Sequence, residues 1–198
     1  IANVTYTNLS IGENWNCRAR AGDGTDNSSW NTSSNVTISE GTDIVSCMNL
    51  TLAGATYTVR NSLTATSSDT CLNILASNLT VEGAGYEMNG SINATGVRNV
   101  SARNTVIDPA YCLRLKETND STFTNLTCAN VSNRGIWVTQ DSNRNSFTNF
   151  SITIGSAGHG LYVDGGANNS FDCSGRAITG RNTSSHYGFY STESNTTL

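Results

Sequence analysis

The sequence predicts an all-β protein wound as a parallel β-helix, a solenoid of short strands preceded by an N-terminal strand and cap segment. Three observations carry this. The first is a five-residue phrase that returns about every two dozen residues: Cys71-Leu72-Asn73-Ile74-Leu75, Cys112-Leu113-Arg114-Leu115-Lys116, Gly135-Ile136-Trp137-Val138-Thr139, Gly160-Leu161-Tyr162-Val163-Asp164 and Gly188-Phe189-Tyr190-Ser191-Thr192. A period of roughly 20 to 29 residues marks stacked, near-identical units. The second is alternation inside the phrase. Positions two and four are mostly apolar and position three is polar or aromatic, which is a strand with one buried face. The third is composition. Asn, Ser and Thr make up about two fifths of the 198 residues, with 18 Gly and one Pro, a bias suited to short strands and side-chain-bonded turns.

The elements follow in order. Residues 1–34 lack the repeat. Ile1 to Ile11 read as a strand, then a polar loop runs from Ala21 to Ser29 between Trp15 and Trp30. Repeat proteins need atypical ends, so this stretch reads as a cap whose tryptophans plug the coil. Residues 35–198 form the coil, introduced by short strands at Val36-Thr37-Ile38, Asn49 to Leu52 and Tyr57 to Val59. One apolar column is expected to run through Leu50, Leu79, Val100, Phe123, Phe147, Phe171 and Leu198, with rungs about 4.8 Å apart. Asn145 and Asn169 precede their phenylalanines by two places, and Asn125 and Asn149 follow theirs by two. Asparagines so placed stack and hydrogen-bond along the axis at each bend.

Charge and cysteine usage narrow the function class. The net charge is −4 and Lys116 is the single lysine, so no basic stripe suits nucleic acid. No apolar run is long enough to span a bilayer. Ile1 in place of methionine reads as the product of leader removal. Seventeen Asn-x-Ser/Thr sequences occur, at Asn3, Asn8, Asn27, Asn31, Asn35, Asn49, Asn78, Asn89, Asn93, Asn99, Asn119, Asn125, Asn130, Asn149, Asn168, Asn182 and Asn195. Each is an acceptor for N-linked glycan in a secreted chain. The six cysteines, Cys17, Cys47, Cys71, Cys112, Cys128 and Cys173, suit disulfides in an oxidising space. Cys17 and Cys47 are candidates to staple the cap to the first coil. Cys71 and Cys112 lie two rungs apart, about 9.6 Å, too far to bond directly. Fifteen pairings are formally open. An extracellular or cell-surface glycoprotein is the resulting expectation.

The stretches 160–171 and 71–90 resemble right-handed parallel β-helix repeats of the pectin-lyase-like superfamily and its periplasmic copper-processing relatives. They are especially similar to Asn- and Thr-rich repeats of archaeal surface proteins. The resemblance covers about residues 45–198 and is specific for fold, since the same coil carries enzymes, adhesins and scaffolds. Lyases of that superfamily hold calcium on acidic residues beside a basic proton acceptor, and its hydrolases use clustered aspartates. The copper-processing relatives imply no copper site here, because Met, His and Cys do not cluster.

Two outward columns are predicted on the face of the repeated phrase. One holds Asn73, Arg114, Trp137, Tyr162 and Tyr190; the other holds Leu75, Lys116, Thr139, Asp164 and Thr192. Trp137, Tyr162 and Tyr190, with Arg114 at one end, form a candidate contact face for sugar rings or a partner protein. Glycosidic cleavage wants two carboxylates about 5 to 10 Å apart, and Asp164 stands alone in these columns. An ion pair of Arg114 and Lys116 with Asp164 across two rungs is expected instead. Catalytic residues, a metal and a cofactor are therefore not expected. Asp23, Asp26 and Asn27 are a weak calcium set whose spacing departs from a loop signature. His159 and His186 read as solvated histidines at equivalent turns one rung apart.

The chain stops at Asn195-Thr196-Thr197-Leu198 without a polar cap. An open coil end invites pairing, so either the coils continue in a longer chain or a neighbour completes them. Ile1 to Ile11 would serve as that complement, adding copies head to tail into a filament or layer. The leading expectation is a non-enzymatic structural or adhesive surface protein. A polysaccharide lyase or hydrolase, or a carbohydrate-binding module, is the alternative.

Overall fold

The computed structural model describes residues 14–15, 18–19, 22, 24–32, 36–37, 42–66, 70–108, 111–155, 158–180, 187–193 and 196–198. The chain divides into two units, Ile1–Gly41 and Thr42–Leu198. In the first, Asn14–Trp15 pairs antiparallel with Val36–Thr37, Arg18–Ala19 pairs antiparallel with Asn31–Thr32, and Gly22 bridges Asn27. That nested register is a hairpin, with Gly24 at its tip at φ +99°. Only glycine adopts such a φ without strain. The expectation that Val36 enters the coil is corrected, because its partner strand is antiparallel. Trp30 is 57% exposed. Ile1 to Ile11, Cys17, Asp23, His186 and the sequons at Asn3, Asn8, Asn35, Asn182 and Asn195 lie outside the described residues, as does the side chain of Trp15.

The second unit is a β-solenoid. Every strand pair described in it is parallel, and each strand bonds to those one coil before and one coil after. One sheet stacks seven strands in chain order: Met48–Leu50, Thr70–Ile74, Ser91–Thr95, Tyr111–Lys116, Arg134–Thr139, His159–Val163 and Phe189–Ser191. The strand Ser91–Thr95 is a rung that the repeated phrase does not reveal. Its sequence, Ser-Ile-Asn-Ala-Thr, alternates correctly, but Ala94 stands where the other coils carry a larger residue. The second sheet passes through Thr56–Val59, Thr80–Glu82, Ser101–Ile107, Thr122–Val131, Ser146–Thr148 and Ser170–Asp172.

Within the second sheet Phe123, Phe147 and Phe171 are in register and stack face to face, with ring centroids 5.0 and 4.6 Å apart. The rest of the expected column is corrected. Val81 and Ala102, not Leu79 and Val100, lie in line with Phe123, and Tyr57 lies below Val81. Leu50 belongs to the first sheet, in line with Ile74. Leu198 is 69% exposed. Residues two apart in a strand share a face, so Leu79 and Val100 are still buried. Coil lengths vary between 21 and 24 residues here, and that variation conceals a two-residue offset.

Asparagine builds the bends as expected. At one corner Asn78, Asn99, Asp120, Arg144 and Asn168 repeat from coil to coil with φ between +54° and +61°. At another, Asn104, Asn125 and Asn149 do the same, at φ +54° to +57°. Asparagine tolerates this left-handed conformation better than other side chains bearing a Cβ. The amide of Asn125 donates to Asn104 at 2.6 Å, and that of Asn149 donates to Asn125 at 3.4 Å.

The first position of the repeated phrase is buried at Cys71, Cys112, Gly135 and Gly160. A Cβ on Gly135 would meet the Gly160 carbonyl oxygen at 2.5 Å and Ile152 at 2.7 Å. In the preceding coil the equivalent places of Gly135 and Ile152 are Cys112 and Cys128, and these two are bonded. A Gly–Ile contact and a cystine thus fill the same corner in successive coils. The second disulfide, Cys47–Cys71, links adjacent coils along the axis. It replaces the expected Cys17–Cys47 staple. Cys173 is a free thiol, half-buried; burial and the neighbouring Asp172 carboxylate push its pKa up.

Candidate functional site

The first sheet carries the predicted contact face. Asn49, Asn73, Asn93, Arg114, Trp137, Tyr162 and Tyr190 form one outward column in register. Parallel in-register strands lie about 4.8 Å apart, so identical ring types on successive rungs stack. Tyr162 and Tyr190 do so at 4.7 Å with their planes 17° apart.

A second outward column, on the residue immediately before each phrase, completes the face: Thr70, Tyr111, Arg134, His159 and Tyr187. Sequence reasoning missed it because strict alternation places that residue inward. The two consecutive buried positions that follow it, such as Gly135 and Ile136, reverse the phase. The repeated tight residue, Cys or Gly, was the available signal. Tyr187 occupies the rung equivalent to His159. His159 stacks on Tyr187 at 5.4 Å, lies 5.1 Å from Tyr162, and accepts the Tyr187 backbone N–H at Nδ1. It is therefore part of the aromatic face and not a solvated turn residue.

Trp137 is the centre of the cluster. Tyr111 stacks on it at 6.0 Å. The guanidinium of Arg114 sits 4.5 Å from its ring, and that of Arg134 sits 4.3 Å from it and 4.4 Å from Tyr162. Such contacts contribute about 0.5–2 kcal/mol each, more as water is excluded. The Trp137 indole N–H donates to Asp164 at 2.9 Å. This corrects the expected ion pair: Asp164 serves tryptophan, and Lys116 lies 3.9 Å from Glu117.

Among the described residues no hydrogen bond or ion pair reaches either guanidinium, and the Nε atoms of Arg114 and Arg134 are both buried without a partner. Beside Arg114 and Trp137 lies a hollow of about 260 Å³, walled also by Thr70, Ser91, Asn93 and Tyr111. The Asn93 amide donates to the Thr70 hydroxyl at 2.7 Å, and Asn133 donates to the Tyr111 hydroxyl at 2.6 Å. The hollow is thus lined by hydroxyl and amide groups, two aromatic rings and one cation.

Among the described residues no group of three or more His, Cys, Asp or Glu side chains is placed to hold a metal ion. Among the same residues there is no helix long and apolar enough to cross a membrane. Fold and face together define a parallel β-solenoid protein with an aromatic, cationic surface strip. No protein-family model matches the chain, and no curated protein or solved structure matches it.

Proposed function

We propose that this chain is a non-catalytic extracellular scaffold, a glycoprotein of the cell surface whose first sheet binds carbohydrate. The observation that carries the reading is the in-register ring stack around Trp137, Tyr162 and Tyr190, with hydrogen-bonding groups on its flanks. Flat apolar faces next to polar groups fit the faces and edges of sugar rings. The lone carboxylate on this face among the described residues, Asp164, is already engaged by Trp137, which favours binding over glycosidic cleavage by a carboxylate pair. Two disulfides support an oxidising, extracellular setting. The repeat and its asparagine bends support kinship with right-handed coils of the pectin-lyase-like kind, in an adhesive or structural role at a surface.

Binding to a panel of immobilised glycans tests this. Trp137→Ala is expected to weaken binding at least about tenfold, the loss typical of a central aromatic anchor, while the melting temperature changes little. Unaltered binding by the variant would remove the face from the function.

Bend geometry also sorts the sequons. At Asn78, Asn99, Asn125, Asn130 and Asn149 the asparagine is left-handed, the next residue is buried, and the Ser or Thr comes two places on. The coil itself thus generates many of these motifs. Asn49, Asn78, Asn89 and Asn168 are exposed, and their amides donate no hydrogen bond among the described residues. Asn93, Asn125 and Asn149 are half-buried amide donors. Glycopeptide mass spectrometry of material from a glycosylating host is expected to find the first group occupied and the second bare. Glycan on Asn93 would obstruct the hollow and count against the binding face.

A further inference from the structure

We propose that the hollow beside Arg114 is a subsite for an anionic substituent, the carboxylate or sulfate ester of a sugar chain lying along the first sheet. This rests on the reading of that sheet as a carbohydrate-binding face. The chain carries a net −4, yet two guanidinium groups converge on the single ring of Trp137 without a carboxylate partner. Three of the five other described arginines of the coil are ion-paired, Arg60 with Asp43, Arg103 with Glu82 and Arg144 with Asp120, all at 2.6–2.7 Å, and Arg176 is hydrogen-bonded to Asn125 and Thr127. The two guanidinium groups on Trp137 have neither kind of partner among the described residues.

Geometry completes the case. Each guanidinium packs over the tryptophan ring, and its Nε is buried. The terminal Nη groups keep contact with solvent and have no protein hydrogen-bond partner among the described residues. A planar fork held this way is preorganised for a two-oxygen acceptor. Placing two like charges on one ring costs free energy that a bound anion relieves. Thr70 and Asn93, which also line the hollow, supply polar groups for neighbouring sugar hydroxyls. An anionic sugar unit would therefore find a cation, a ring face and a polar wall in one hollow of about 260 Å³.

The test uses three polymers on one backbone at matched length: dextran, carboxymethyl dextran and dextran sulfate, titrated against the whole chain. At least one polyanion is expected to bind tighter than neutral dextran by about tenfold or more, the scale of a hydrogen bond to a charged group. That binding should weaken as salt rises. Preference between the two polyanions identifies carboxylate or sulfate. Arg114→Gln should abolish the preference, and Arg114→Lys, keeping charge but losing the fork, should restore it only in part. Equal affinity for all three polymers, or a preference untouched by Arg114→Gln, would overturn the anionic subsite while leaving the binding face intact. Absence of binding to every polymer also overturns the subsite; the neutral-sugar panel with Trp137→Ala then decides the broader reading separately. Salt titration of the unaltered chain needs no variant to fold.

Discussion

Replacing Phe147 with alanine is expected to destabilise the solenoid by about 3–5 kcal/mol, the usual loss for a buried phenylalanine. Phe147 is fully buried and is the middle ring of three, 5.0 Å from Phe123 and 4.6 Å from Phe171. Truncation removes two stacked-ring contacts, each adding about 0.5–1.5 kcal/mol beyond area burial. It also opens a cavity that neighbouring strands cannot close, because hydrogen bonds on both sides fix the rung spacing. Solenoid stability is a sum over neighbouring coils, so a gap here uncouples the final coils from the rest. Denaturant unfolding should show a lower midpoint and an early phase that includes residues beyond 147. A loss under about 1 kcal/mol would show that the column is not continuous.

Asn145→Leu is expected to cost about 2–5 kcal/mol, although leucine has the same branching at Cγ and greater hydrophobicity. Asn145 is 1% exposed. Its Oδ1 accepts the Ser121 backbone N–H at 3.1 Å, while its Nδ2 donates to the Thr118 carbonyl at 2.8 Å and to Asn169 Oδ1 at 3.1 Å. Leucine leaves these backbone groups buried and unpaired, each costing about 1–3 kcal/mol. The hydrophobic gain of about 1–2 kcal/mol does not offset that. Asn169 repeats the arrangement one coil on, accepting the Asn145 N–H and donating to the Ser142 carbonyl. The Asn145→Leu/Asn169→Leu pair should therefore lose less than the sum of its single changes, as members of one network do. A neutral Asn145→Leu would mean that the bend satisfies its backbone groups without the side chain.

The parallel coil, the stacked phenylalanines and the asparagine bends were legible because each follows from a local rule repeated at one period. The position-three column was legible for the same reason, and Arg114, Trp137, Tyr162 and Tyr190 stand where the phrase put them. Arg134, Tyr111 and Tyr187 were not. A double inward step after Tyr111 and Arg134, at the corners of Cys112 and Gly135, breaks the alternation from which facing was inferred. Asp164 was misassigned to Arg114 because charge suggests a partner, whereas rung geometry placed the Trp137 indole N–H closer. The ladder offset at Leu79 and Val100 arose because loops of unequal length hide which of two same-face residues is in line.

The amino-acid order alone determined that strands recur, that one face of each is apolar, and that asparagine turns the corners. These are properties of short segments, set by side-chain period and backbone preference. Only the tertiary structure decided which rung sits on which, which cysteines meet, and how two arginines come to share one tryptophan ring. Those depend on distances between residues some two dozen positions apart, and register between coils, not local sequence, sets such distances.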